Sequence, residues 1–392
     1  MPLSFLTGND KPVDLNTSMP VVAAIVMAVI GPEVFIVQPG FVLGMVEYMG
    51  FSEKMAGDIS SAEMWGIALT TVLMTFSAQR FNWRYVIFAS LLIMIVGNLA
   101  SIFAQTPLLF GFWRFVVGFG AGGLVSLSFT ILGLTDKPDR NFGYMIMWVL
   151  VYGAIVLMAM PTAYQLIGMN GVLIFLAILP AVGLIFVRYL PTSGSDHVQL
   201  EADAVNLPSN FKYLALLAMF CYFLGQGVVW AYLFLIGITG GGSEQEIANG
   251  LTASQFLGVA GAFTAAMVGN RRGRSIPLTL GILGTLIPLF WLFGNMGALV
   301  YAIAVCIYNY FWNVTHPYLL AAMASFDRSG RMVTYAVAAQ MLGIANGPWI
   351  AARVFTEGDF SRVIWLGIIL FTASLIFILP PVLIQRRLTT QS

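Results

Sequence analysis

The chain has 392 residues, of which 59% are hydrophobic and only 9% charged, and its formal net charge at pH 7 is +1. Soluble domains are about a quarter charged, so this composition excludes an ordinary soluble protein and points to a polytopic membrane protein. No basic tract of the kind that follows phosphates is present, which excludes nucleic acid. Cys221 and Cys306 lie in apolar segments without metal or disulfide spacing, so no metal or other cofactor is expected.

In chain order, residues 1–20 are polar, carry Asp10, Lys11 and Asp14 around no apolar core, and read as a cytosolic tail, not a cleaved signal. A membrane-crossing helix needs ~20 mostly apolar residues. Such runs fall at 21–47, 57–77, 85–104, 107–133, 142–166 and 170–187. A polar break, RYLPTSGSDHVQLEADAVNLPSNFK at 188–212, reads as a cytosolic linker. Six further runs follow at 213–237, 249–268, 275–294, 297–325, 332–354 and 361–384, and 385–392 is a second cytosolic tail. The expected fold is therefore an all-α integral membrane protein with twelve transmembrane helices. They form two six-helix bundles, 21–187 and 213–384.

With both termini in the cytoplasm, all but four of the 18 basic residues fall on inner segments, as the bias of Lys and Arg toward cytoplasmic loops requires. The exceptions are Lys54, Arg114, Arg353 and Arg362. The halves also echo each other. GFSEKMAGDISSAEMWG (50–66) matches GGSEQEIANGLTASQFLG (241–258), and SAQRFNWR (77–84) matches VGNRRGR (268–274) at the same helix junction. Duplicated halves related by a pseudo-two-fold axis are the architecture of many secondary transporters, whose site lies between the repeats.

At these junctions the chain resembles the major facilitator superfamily. That family's motif after the second span reads Gly-x-x-x-Asp-Arg-x-Gly-Arg-Arg. TFSAQRFNWR (75–84) keeps Arg80 and Arg84, with Gln79 for the Asp; AAMVGNRRGR (265–274) keeps Arg271, Gly273 and Arg274, with Asn270 for the Asp. RFVVGFGAGG (114–123) on the fourth span resembles the family's Arg-x-x-x-Gly-x-Gly-Ala-Gly segment, whose Arg is often tied to proton transfer. The resemblance implies a cytoplasmic gate in which Arg80, Arg84, Arg271, Arg274 and Arg331 meet helix ends and carboxylates. With both motif Asp residues replaced, Asp136 and Asp327 are the candidate partners. The Gly-Pro-rich stretch of family antiporters is absent from the fifth span, where only Gly153 and Pro161 occur. The sugar-porter signature is also missing after the sixth, which reads RYLPTSG.

A charge inside a bilayer is costly and marks function by default. Glu33 lies in VMAVIGPEVFIVQPGF (26–41), ~18 Å along the first span from its inner end at ~1.5 Å per residue. Since the family's first and fourth spans line one cavity, the resemblance implies that Glu33 and Arg114 face the same space. A buried carboxylate poised between desolvation and a nearby cation can load and release a proton. A static salt bridge is the plain alternative. Glu63 on the second span is a rival proton site, or a packing partner.

On the tenth span, Asn309, Trp312, Asn313 and His316 share one helical face. Tyr222, Gln226 and Trp230 form a stripe on the seventh, and Trp148 and Tyr152 lie on the fifth. Aromatic faces with a few amides suit sugars and amphiphilic organic molecules alike. The expected substrate-binding set is Tyr152, Gln226, Trp230, Asn309, Trp312, Asn313 and His316. His316 has no second ligand at metal spacing, and no catalytic constellation is present, so an enzyme is not expected.

The reading is a monomeric, multi-pass secondary active transporter of a bacterial inner membrane, moving a small-molecule substrate by alternating access with membrane lipid around it. Proton-coupled symport is the expectation, with Glu33, Arg114 and Glu63 as the coupling set; the alternative is a proton-coupled antiporter exporting drugs or other amphiphiles.

Overall fold

The computed structural model of the chain describes residues 13–15, 17–77, 80–193, 204–269, 273–328, 331–356 and 358–391. Inside a bilayer a segment must satisfy its own backbone polar groups, so apolar runs of this length become helices. In the first half these are α1 (Ser18–Ile30), α2 (Glu33–Ile36), α3 (Gln38–Leu43) with a π-helical turn at Gly44–Tyr48, α4 (Glu53–Ser77), α5 (Trp83–Ser101), α6 (Pro107–Gly133) and α7 (Pro138–Gly183). In the second half they are α8 (Ser209–Thr239), α9 (Glu244–Val268), α10 (Ser275–Leu286) with a 3-10 turn at Ile287–Leu292, α11 (Gly297–Ser325), α12 (Arg331–Val354) and α13 (Ser361–Gln391). Among the described residues, eight helices are each long and apolar enough to cross a membrane. The chain is an all-helical, twelve-span membrane protein, with α1 to the π turn making one broken pass and α7 counted as two.

Several of the expected spans differ in detail. The first is not one helix over 21–47. Pro32 and Pro39 each remove a backbone donor, and the helix is interrupted at Pro32 (φ −88°, ψ 22°) and Val37 (φ −107°, ψ 17°). The fifth and sixth are joined in α7, where only Gly168 departs from helical geometry (φ 63°, ψ −174°). That left-handed φ favours glycine, which has no Cβ to clash. At the C-terminus, α13 runs on through the expected tail to Gln391.

The chain divides into two compact units. Unit 1 comprises Met1–Val37, Gly44–Tyr152 and Thr162–His197; unit 2 comprises Gln38–Leu43, Gly153–Pro161 and Val198–Ser392. In unit 1, α4 and α6 cross with backbones nearly touching: a Cβ on Gly66 would overlap the Phe115 carbonyl oxygen, and one on Gly118 the Glu63 carbonyl oxygen. In unit 2, Gly227 on α8 and Gly347 on α12 allow the same approach. Small residues serve this purpose because burial from water does not drive helices together in lipid.

The sequence repeat has a structural counterpart. Ser52 accepts a hydrogen bond from the Met55 N–H (3.2 Å) at the start of α4. Ser243 accepts from the Glu246 N–H (3.4 Å) at the start of α9, where Glu246 returns the bond in a capping box.

Candidate functional site

Three buried charges of unit 1 lie within its membrane spans, and two of them meet on α5. Glu33, Glu63 and Arg114 are 1%, 2% and 0% exposed, so none reaches water through the unit's surface. Glu33 opens α2 just after the Pro32 interruption, Glu63 lies on α4 and Arg114 on α6. Asn98, on α5 and fully buried, joins two of them. Its Oδ1 accepts from Arg114 Nη2 (2.8 Å), and its Nδ2 donates to Glu33 Oε1 (3.4 Å) and to the Leu176 carbonyl (2.8 Å). Arg114 Nη2 also donates to Ser101 Oγ (2.7 Å), and the guanidinium lies 5.6 Å from the Phe110 ring centroid. Glu33 Oε2 has no hydrogen-bond partner among the described residues. Glu63 is within electrostatic reach of Arg114 and of Glu33. Tyr152 on α7 is within reach of Glu33, and its buried hydroxyl is likewise unpartnered among the described residues.

Unit 2 buries a different chemistry. Along α8, Tyr222, Gln226 and Trp230 are all buried. The Tyr308 hydroxyl on α11 donates to Gln226 Oε1. Asn309 donates to the Ser254 carbonyl on α9 (2.9 Å), and Asn313 donates back to Asn309 Oδ1 (3.0 Å). Trp312 meets Trp230 edge-on, with ring centroids 5.5 Å apart. His316 lies 3.3 Å from Gln340 Oε1 on α12 and edge-on to Phe223. Among the described residues, the buried polar side chains within the membrane-crossing part of this unit are amides and hydroxyls, with the half-buried His316 imidazole beside them. Its buried charged residues, Arg274 and Asp327, sit at helix ends.

The sequence model of the Major Facilitator Superfamily matches residues 23–214. The match spans just under half of the chain and marks its first half as similar to that superfamily. The chain's fold is shared with a D-xylose–proton symporter (TM-score 0.73, 14% identity, covering 91% of this chain and 96% of that one). It is similarly shared with the xylose transporter XylE from E. coli in an inward-open conformation (TM-score 0.73, 14% identity, 91% and 94%). A partially occluded inward-open form of XylE gives a TM-score of 0.71 at 15% identity, covering 92% and 97%. No curated protein sequence matches the chain significantly.

The expected gate residues lie in several settings. Arg80 and Asp136 are exposed, at the start of α5 and in the loop before α7. Arg84 is buried, and its Nε donates to the Leu190 carbonyl (2.6 Å), tying the start of α5 to the end of the first half. Asp327 forms an ion pair with Lys212 (2.9 Å) and accepts the Arg331 N–H (3.2 Å), capping α12. Arg274 is buried just before α10; Arg271 lies outside the described residues. Trp148, one turn before Tyr152 on α7, is exposed, whereas the Tyr152 hydroxyl is buried. Arg353 stacks on Trp349 at 4.1 Å near the end of α12.

Asn98, Ser101, Tyr308 and Ser254 were not expected from the sequence. A signal existed for the first two: Gly97, Asn98 and Ser101 stand together in the otherwise apolar third span, with Asn98 and Ser101 one helical turn apart.

Proposed function

We propose that this chain is a proton-coupled symporter of a small organic solute, with Glu33 as the group that carries the proton. The observation carrying the reading is the state of the Glu33 carboxylate. It is buried within a membrane span, held at one oxygen by Asn98 and unpartnered at the other among the described residues. A static structural bridge would be expected to satisfy both oxygens, because an unpaired buried charge is strongly destabilising. Charge counting supports the same reading. Two buried carboxylates share one buried guanidinium, so the fully ionised cluster carries one excess negative charge, which a single proton cancels. Arg114 stabilises the ionised form once the proton leaves, and Asn98 keeps the carboxylate and guanidinium in register through both states.

The solute is assigned to the aromatic and amide residues Tyr152, Gln226, Trp230, Asn309, Trp312, Asn313 and His316. Import is favoured by the missing Gly-Pro stretch of family antiporters. The basic residues assign both termini to the cytoplasm, with Arg80, Arg84, Asp136, Arg271, Arg274, Asp327 and Arg331 as the inner gate. One chain carries both halves of the duplication, so a monomer suffices. The bacterial inner membrane is the assigned location.

The test uses a solute chosen by thermal stabilisation of the purified protein, which a ligand raises by mass action. In proteoliposomes, wild-type uptake should rise as the outer solution is acidified. Glu33→Gln should abolish gradient-driven accumulation and its pH dependence, yet retain counterflow exchange. Unchanged accumulation in Glu33→Gln would remove Glu33 from the coupling step, and efflux driven by an acidic exterior would mean antiport.

A further inference from the structure

Gln38 begins α3, between the helix interruption at Val37 and the ring of Pro39. It is 1% exposed, its neighbours Val37, Phe41, Val42 and Leu43 are buried, and neither its Oε1 nor its Nε2 has a hydrogen-bond partner among the described residues. Leaving a buried polar group unpaired forfeits the hydrogen bonds it would make to water and destabilises the fold. An apolar side chain of similar volume would fill the space without that cost. Packing therefore gives no reason for an amide here.

Within unit 2, α3 packs against α8, and α8 repeats the feature. Gln226 is fully buried; its Oε1 accepts from Tyr308, but its Nε2 has no partner among the described residues. Two elements packed on each other thus carry buried carboxamides with unused hydrogen-bonding capacity, in a unit whose buried charges, among the described residues, are confined to helix ends.

We propose that Gln38 is a recognition residue for an uncharged, hydroxyl-bearing solute, its carboxamide exchanging hydrogen bonds with the solute's hydroxyl groups. The choice of class follows from the amide. A hydroxyl both donates and accepts, so neighbouring hydroxyls can satisfy Nε2 and Oε1 together. An anion could serve only the N–H end, and a cation only the carbonyl end, leaving the other group buried and unpaired. The Gln226 N–H adds a second donor for the same kind of group. The inference rests on the transporter reading above but not on the role of Glu33.

The experiment is thermal unfolding of the full-length, detergent-purified protein. It is titrated with a panel of neutral monosaccharides and polyols that includes D-xylose and sorbitol, alongside a panel of organic anions and amphiphilic cations. At least one neutral hydroxylated compound should stabilise the wild type. Gln38→Leu, without ligand, should unfold at the same or a higher temperature, because it removes two unpaired groups at similar volume. Its apparent Kd for that compound should weaken about five- to tenfold, the loss of one or two hydrogen bonds. Gln38→Asn should fall between. A Gln38→Leu protein that is less stable yet binds as the wild type does would make Gln38 structural and overturn the proposal. Stabilisation by the charged panel alone would also overturn it, while leaving the chain a solute transporter.

Discussion

An asparagine can donate and accept at once, and Asn98 uses both abilities on ionisable partners: it accepts from Arg114 and donates to Glu33, with a further bond to the Leu176 carbonyl. A leucine there could do neither. Asn98→Leu would leave Arg114 one acceptor short and Glu33 without its amide partner, which should cost about 2–5 kcal/mol. Denaturant or thermal unfolding in detergent reads this directly; wild-type stability would mean that the Asn98 link does not hold the cluster together. Glu33 and Arg114 could be picked from sequence because a charge stands out in an apolar run. Asn98 stands out in its span but its role does not, since an amide between small residues looks the same whether it bonds its own helix, a neighbour or a ligand. The same blindness hid Gln38 and the Tyr308–Gln226 pair. A sequence displays polar groups but not which of them find partners.

At the scale of helices, the glycines decide how near two backbones come. Gly118 on α6 faces the Glu63 carbonyl of α4 with no room for a methyl group, whereas Gly143 on α7 has nothing within 4 Å of an added Cβ. Gly118→Ala must push α4 and α6 apart and should destabilise by about 1–3 kcal/mol. It should also disturb coupled uptake, since Glu63 and Arg114 ride on the displaced helices. Gly143→Ala should be neutral or stabilise by up to ~1 kcal/mol, through helix propensity alone. Equal stability of the two variants would refute close α4–α6 packing. Element positions were largely readable here, because apolar runs and the repeated Ser-Glu helix starts fix where helices lie. The break in the first span was less so. Its prolines are plain in the sequence, but a proline in a membrane helix can kink it or interrupt it. The turn at Gly168 looks like a gap between spans in the sequence, because periodicity does not show that helix continues on both sides of one residue.

Across the whole chain, the buried ionisable residues of unit 1 and the neutral amides and aromatic rings of unit 2 separate two kinds of chemistry. If coupling belongs to the first set and recognition to the second, variants should separate them too. Trp312→Ala, which removes the edge-on partner of Trp230, should weaken ligand-induced stabilisation about tenfold in Kd, a loss of ~1.4 kcal/mol. It should leave the pH dependence of whatever uptake remains intact, the reverse of Glu33→Gln. A Trp312→Ala protein with wild-type affinity would make the α11 face structural.

Orientation in the membrane is argued at the same scale, and it depends on where the basic residues fall rather than on any one of them. Arg328 and Lys212 illustrate the inner side as assigned. Arg328 Nε donates to the Ala204 carbonyl (2.9 Å), its N–H bonds Asn206 Oδ1 (3.0 Å), and Lys212 pairs with Asp327. These contacts fasten the end of the linker to the loop after α11. Lys54, exposed at the start of α4, is one of the few basic residues assigned to the outside. In a Cys221→Ser, Cys306→Ser background, Lys54→Cys should react with a membrane-impermeant maleimide on intact cells. Asn210→Cys, exposed at the start of α8, should react only after permeabilisation. Both replacements sit in the first turn of a helix and remove no contact named above, so reactivity reports sidedness rather than unfolding. The inverse pattern would place most of the 18 basic residues on the translocated side, against the bias of Lys and Arg toward the cytoplasm. The fastened linker would then lie outside, and the arginines after α4 and α9 could not form a cytoplasmic gate.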